Sequence, residues 1–495
     1  VTCSGTDRSW GGGAYRPGEQ GGAQGVGHCR PDVALEEQAH AFFPLYPWLV
    51  RAVGEGISYL CGGSLGIGGC LILAGVLISN ASFVLAAVLL YRLGVVVMGD
   101  TLLAFRGALV FCVSPASVFF SSAYCESLYA ALTFAGLLVL LGGCESTNVV
   151  HGSKSRRGWA GSVRAWIAAG LLAAATLTRS NGIAAAGVIV LEKLRWMADE
   201  ARLFSMTGST TTKTIQGIVT RSALKKRQQP TVDQVSCDIR WRELPWARLV
   251  SSAIATGLQA LLVVLPYIFV QVYAYRKFCG GGGEDGTTVV DAALLAELHP
   301  WCKWRVPSLY AYIQSAYWGV GAFKYYQWKQ IPNFLLAGPA LVLTACGTAR
   351  FFTAQLHREV RKSGVGVDGA ADGRSAEQAT KQWLLSAWLS RVARTFFGPR
   401  GLPHPASHPF TRSAAAALVL QWGFLAAFAA VCMNVQVATR FLAASCPPLH
   451  WWTATLVFPG STNVAPGTTA HSLRWYLALY FIAGAVLHPN FLPWT

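Results

Sequence analysis

Leu249-Val-Ser-Ser-Ala-Ile-Ala-Thr-Gly-Leu-Gln-Ala-Leu-Leu-Val-Val-Leu-Pro-Tyr-Ile-Phe-Val-Gln-Val272 contains no Asp, Glu, Lys or Arg. A helix that crosses the hydrocarbon of a bilayer needs about 20 mostly apolar residues. This stretch meets that length, and its apolar residues leave no water-facing stripe of the kind a soluble surface helix shows. It is therefore read as a membrane span, and it decides the fold class. Further apolar windows follow the same rule: 57–97, long enough for one or two spans, then 102–120, 128–141, 165–177, 183–191, 334–345, 414–435 and 473–487. Nine to eleven crossings are expected, in an all-α polytopic bundle.

Composition agrees. The chain has 495 residues, 53% hydrophobic and only 13% charged. Soluble domains carry roughly 25% charged residues, so too little polar surface is left to cover a water-exposed globule. The net charge of +17 would suggest nucleic acid in a soluble protein. Here the cations gather in loops, so nucleic acid is not expected as a partner. Loop 151–164 holds Lys154, Arg156, Arg157 and Arg164 without an acid, and loops 193–248 and 350–412 are also basic. Short basic loops belong on the cytosolic side.

That orientation makes 165–192 a hairpin with Arg179, Ser180 and Asn181 at its lumenal tip. It also places 273–333 and 436–472 in lumenal loops. Cys279, Cys302 and Cys446 then lie where disulfides are allowed, with the pairing open. Insertions near 199–245 and 353–410 read as flexible cytosolic segments within a transmembrane domain spanning 36–495. Residues 1–35, rich in Gly and polar groups, are expected to be an atypical, truncated or disordered start that has lost a first span.

Several polar residues stand out against this apolar background. A charge at membrane depth is costly and normally faces a polar cavity or the interface. Glu126, in Tyr124-Cys-Glu-Ser, and Arg179, in Thr178-Arg-Ser-Asn-Gly, both sit between apolar runs. Either residue can instead be a helix-end group reaching headgroups. Arginine offers a fixed fork of donors suited to phosphate. The stretch 299–333 interleaves Trp, Tyr, Lys, Arg, Gln and Asn. An interfacial aromatic belt accounts for the rings, but the amides and cations favour a polar site. Lys303, Arg305, Gln314, Tyr317, Trp318, Lys324, Lys329, Gln330 and Asn333 are its candidate donor-binding residues, with Asn181, Gln436 and Arg440 from elsewhere. No P-loop, GxSxG or metal-ligand spacing is present, so neither a metal nor a cofactor is assigned; whether a metal is needed stays open.

Taken in order, six stretches resemble the GPI mannosyltransferase 2 (PIG-V) family. They are Ala41-Phe-Phe-Pro-Leu-Tyr-Pro47, Ser114-Pro-Ala-Ser-Val-Phe-Phe with Tyr124-Cys-Glu-Ser, Thr178-Arg-Ser-Asn-Gly, 300–332, 436–447 and 490–495. The resemblance implies a lipid-sugar-dependent (GT-C type) glycosyltransferase, multi-pass in the endoplasmic reticulum membrane among its lipids. It implies transfer of the second mannose, in an α-1,6 link, from dolichyl phosphate mannose to the GPI precursor glycolipid at the lumenal face. It leaves room for a small membrane subunit. Under it, an acceptor hydroxyl displaces the lipid phosphate with inversion. A carboxylate takes the proton, and Arg179, Lys303, Arg305, Lys324 or Arg440 stabilises the departing phosphate.

One departure matters. The family carries a Trp-Asp pair in its first lumenal loop, and residues 19–30 hold none. Either the true exon is missing, the favoured reading, or the chain as written is inactive. Glu37, which matches a family position beside the absent base, and Glu126 are the nearest remaining carboxylates. The alternatives are a transporter or lipid scramblase, or a lipid-sugar transferase of different sugar specificity. No self-similarity between the halves supports a transporter.

Overall fold

A computed structural model describes residues 37–62, 65–142, 157–198, 246–280, 299–362, 408–458 and 467–490. These residues form helices, and no strand occurs among them. In chain order the main helices are α1 (Leu45–Leu60), α2 (Ile67–Met98), α3 (Thr101–Cys112), α4 (Glu126–Leu141) and α5 (Arg157–Thr178). Then come α6 (185–198), α7 (Trp246–Cys279), α8 (Leu309–Ala316) and α9 (Ile331–Lys362). The last four are α10 (Ala416–Cys432), α11 (Ala438–Ser445), α12 (Pro447–Val457) and α13 (Gly467–Leu487).

Four helical stretches among the described residues are long and apolar enough to cross a membrane: Ile67–Met98, Trp246–Cys279, Trp328–Gln355 and Ser413–Cys432. Thr101–Cys112, Glu126–Leu141 and Val163–Thr178 are apolar but shorter. The expected nine to eleven crossings exceed what this measure gives. Inner helices are covered by neighbouring helices, so they need neither full span length nor a fully apolar surface.

Helix boundaries follow from single residues. α2 ends at Gly99, in the left-handed region at φ 62°. That backbone favours glycine, and a Cβ there would also displace the end of the Arg412 side chain, whose Nη1 lies 1.9 Å from where it would stand. Asp100 then caps α3 by accepting the Leu103 N–H at 2.9 Å.

The core contradicts one expectation. The segment 436–472, expected as a lumenal loop, instead carries α11 and α12, and every residue of α12 is buried. A helix apolar on all sides belongs inside, and α12 is too short to span. Trp451 fills the space left by Gly94 and Gly107, whose added Cβ atoms would fall 3.0 and 2.6 Å from its indole. Trp422 and Trp452 close on Gly347 in the same way. Small residues that let large ones approach are the usual basis of helix packing in membranes. Cys446, expected in a loop, is buried between α11 and α12 and carries a free thiol.

The helices sort their ends. One end joins Gly99 to Arg412, Gln355 to the Thr411 carbonyl, Arg106 to the Phe458 carbonyl and Arg474 to the Val457 carbonyl. The basic segments 143–156, 199–245 and 363–407, outside the described residues, leave from helix ends at this pole. The opposite pole, here the mouth, gathers the turns near 121–126, 179–184, 299–333 and 432–440. Chain order around 165–192 is as expected: α5 stops at Thr178, a 3-10 turn spans Ser180–Ala184, and α6 returns.

Candidate active site

Glu126 opens α4 at the mouth, and its side chain is 2% exposed. A buried carboxylate needs a charged partner, and it has two. Arg179, at the tip of the α5–α6 hairpin, forms an ion pair with its Oε1. Arg440 of α11 approaches the same oxygen at 3.7 Å.

Each arginine is also held against a ring: Arg179 over Tyr129 at 6.0 Å from the centroid, Arg440 over Phe119 at 4.7 Å. The hairpin tip is fixed on both flanks. Asn181 Nδ2 donates to Ser445 Oγ at 2.9 Å, and Ser180 Oγ donates to the Tyr310 hydroxyl at 2.7 Å. Gly182 is required there, because a Cβ would lie 2.6 Å from the Thr176 backbone. Two guanidinium groups over one carboxylate leave a net charge of +1. The Nε of Arg440 is buried and has no hydrogen-bond partner among the described residues. This set can receive an anion and offer it charge-assisted hydrogen bonds.

Glu37 lies in a second knot at the same pole. Its Oε1 contacts His299 Nδ1 at 2.5 Å and accepts from Trp301 Nε1 at 3.1 Å, while Oε2 accepts from the Tyr317 hydroxyl at 3.1 Å. Burial opposes ionisation of this carboxyl. The hydrogen bonds from His299, Trp301 and Tyr317 outweigh that effect and hold it below the usual carboxylate range. Burial and the adjacent Glu37 charge push the Tyr317 phenol well up. A disulfide between Cys279 and Cys302 ties α7 to this loop, which settles the pairing left open by the sequence. Both oxygens of Glu37 and the charge of Glu126 are thus already committed to neighbours.

A third cluster joins the loop to the later helices. Tyr325 donates to Gln436 Oε1 at 3.3 Å, and Asn333 Nδ2 donates to Tyr325 at 2.8 Å and to Gln330 at 2.7 Å. The loop backbone crosses the end of α10, with the N–H groups of Gly321 and Phe323 donating to the Cys432 and Val431 carbonyls. Phe323 has φ 57°, an uncommon conformation for a residue with a side chain.

Of the residues picked out from sequence, Glu126, Arg179, Asn181 and Arg440 converge directly. Gln330, Asn333 and Gln436 meet through Tyr325. Tyr317 belongs to the Glu37 knot, and the Trp318 carbonyl accepts from Asn434 Nδ2 at 3.1 Å. Gln314 is half-buried, and its carbonyl accepts from the Val320 N–H. Lys303, Arg305, Lys324 and Lys329 are exposed, and among the described residues none of them pairs with Glu126. With Trp304 and Trp328 they have the character of an interfacial belt.

Sequence reasoning missed Tyr310, Tyr129, Ser445 and Gln271. Gln271 Oε1 accepts from Ser308 Oγ and the Tyr310 N–H, and so positions Tyr310 beneath the hairpin. Gln271, one of two glutamines in the largely apolar 249–272 span, was the available signal. Among the described residues no three His, Cys, Asp or Glu side chains group to hold a metal. The Trp-Asp region near 19–30 lies outside the described residues.

The profile of the mannosyltransferase (PIG-V) family matches residues 33–219 and 235–495. The GPI alpha-1,6-mannosyltransferase 2 of Mus musculus is 29% identical over 93% of this chain and 84% of its own length. The GPI mannosyltransferase 2 of Chaetomium globosum is 29% identical over 94% of this chain and 81% of its own. A crystal structure of the Archaeoglobus fulgidus oligosaccharyltransferase aligns at TM-score 0.35 and 14% identity. It covers 91% of this chain and 46% of that one, a likeness too slight to place any residue.

Proposed function

The chain belongs to the mannosyltransferase (PIG-V) family, and on that premise we propose that it transfers the second mannose of the GPI anchor, α-1,6-linked, from dolichyl phosphate mannose to the GPI precursor at the lumenal face of the endoplasmic reticulum. Glycosyl transfer in GPI-anchor synthesis follows from the family and its relatives. The donor, the face and the compartment are the finer part of the reading.

The observation that carries it is the pair of arginines on Glu126. Departure of a dolichyl phosphate develops negative charge on its oxygens. Arg179 and Arg440 hold one surplus positive charge at Glu126, where that charge would arise, preorganised by rings, Asn181 and Ser445. Glu126 then acts as the positioning carboxylate that keeps two like charges together, not as the proton acceptor. Glu37 closes the loop knot. The acceptor proton therefore passes to a group other than these two.

Two features support a lumenal mouth. The Cys279–Cys302 disulfide lies at that pole, and disulfides persist in oxidising compartments. The basic segments leave from the other pole, as cytosolic segments do.

The test is transfer in microsomes from radiolabelled dolichyl phosphate mannose to a GPI precursor bearing one mannose. A two-mannose product with an α-1,6 link is expected. A chain that reaches the membrane and transfers mannose only to an acceptor already carrying two would overturn the assignment of step.

A further inference from the structure

The pole opposite the mouth holds a groove of about 470 Å³ between α2, α4 and α5. Its walls include Val95, Val96, Leu138 and Val139, and its polar groups include Arg92 and Arg164. Each arginine stands some 20 Å along its helix from the mouth, by the rise per residue from Ser79 and Thr178. That leaves them about 10 Å inside the far boundary of a hydrocarbon core roughly 30 Å thick, from which a long arginine side chain can reach toward that leaflet's headgroups.

Three other arginines at this pole are engaged. Arg106 donates to the Phe458 carbonyl and Arg474 to the Val457 carbonyl, and Arg412 packs against Gly99. Arg92 and Arg164 are exposed and make no ion pair or hydrogen bond among the described residues. Arg164 is aimed into the groove: its Nη2 lies 3.2 Å from where a Cβ on Gly142 would sit. Two cations at membrane depth, with no acid among the described residues that line their groove, favour a counter-charge from outside.

We infer that this groove binds the headgroup of a net-anionic glycerophospholipid from the leaflet opposite the mouth, with an acyl chain along the valine and leucine wall. Arginine forks suit a phosphate diester bidentately. A zwitterionic lipid brings its own cation to a site that already has two. The groove therefore selects an acidic lipid such as phosphatidylinositol.

The test uses the purified full chain in detergent, with native mass spectrometry and thermal unfolding. The probes are dioctanoyl phosphatidylinositol, dioctanoyl phosphatidylcholine and inorganic phosphate. Phosphatidylinositol should be retained and raise the melting temperature. Arg92→Gln with Arg164→Gln should weaken it by about tenfold or more, since hydrogen bonds to charged groups are lost. Val139→Trp, which fills the groove without touching its charge, should do the same, and it decides the matter if the double variant does not fold. Unchanged affinity in these variants overturns the proposal. So does an equal shift with phosphatidylcholine, or with phosphate alone, which would mean a free-anion site.

Discussion

Arg179 and Arg440, from opposite halves of the chain, meet on one oxygen of the Glu126 carboxylate. The rest of the mouth is arranged around that meeting. The hairpin tip, the end of α11 and the start of α4 are each locked by further contacts, so the two cations cannot move apart.

Removing the shared carboxylate should therefore destabilise the protein. Glu126→Gln leaves two largely buried guanidinium groups side by side without a counter-charge. Breaking a buried pair in this way costs on the order of 3–5 kcal/mol. Thermal unfolding in detergent should show a clear drop, together with loss of mannose transfer. An unchanged melting temperature would count against the tight pairing.

The exposed cations of the mouth loop should behave differently. Lys303→Ala, Arg305→Ala and Lys329→Ala remove exposed side chains that make no ion pair with Glu126. Transfer should stay within a small factor of wild type. Arg179→Ala should lower it by about 10²–10³, the usual size of losing one preorganised donor to a developing oxyanion. Initial rates in microsomes decide between them.

Acid should loosen the Glu37 knot. Its carboxyl is held below the usual range, so its contribution to stability is complete above the ordinary carboxylate pKa of about 4.3. It is lost as pH falls through the lower folded value. Glu37→Gln should remove that acid-dependent component and cost roughly 1–3 kcal/mol at neutral pH, because an amide cannot satisfy all three neighbours. Unfolding followed from pH 7 down to pH 3 measures both, and parallel profiles would contradict the assignment.

The disulfide should be structural. Cys279→Ser with Cys302→Ser frees a loop closed over a sequence separation of 23. A loss of about 2–4 kcal/mol is expected. Reducing agent should lower the melting temperature of wild type by a similar amount and leave the double variant unaffected.

Gly182→Ala tests the hairpin. Its Cβ would strike the Thr176 backbone, so the tip must shift and carry Arg179 with it. Transfer should fall while the disulfide and membrane insertion persist, as read by non-reducing gels and carbonate extraction.

What could be read from sequence follows a physical line. The span at 249–272 was legible because lipid demands a long apolar run, and the hairpin around Arg179 because the polar run Arg179-Ser180-Asn181 interrupts one. Glu126 and Arg179 stood out because charges at membrane depth are costly, whereas Arg440 stood out as part of a polar cluster in an expected loop. The burial of α12 was not legible. A Cys-Pro-Pro start and two tryptophans read equally well as an interfacial loop, and only Gly94 and Gly107, distant in sequence, reveal where Trp451 fits. The exposed lysines of 299–333 are ambiguous in the sequence for a related reason, since cations and rings serve a sugar site and a headgroup belt alike. The disulfide partner could not be chosen because Cys446 looked equally accessible until its helix was placed inside.

The most direct test of the central claim is the affinity of the purified protein for dolichyl phosphate, measured for wild type, Arg179→Gln, Arg440→Gln and the double variant. Each single variant is predicted to bind about tenfold or more weakly, with the double variant weaker by less than the product, because both guanidiniums grip one phosphate. Wild-type affinity in both single variants would contradict the account.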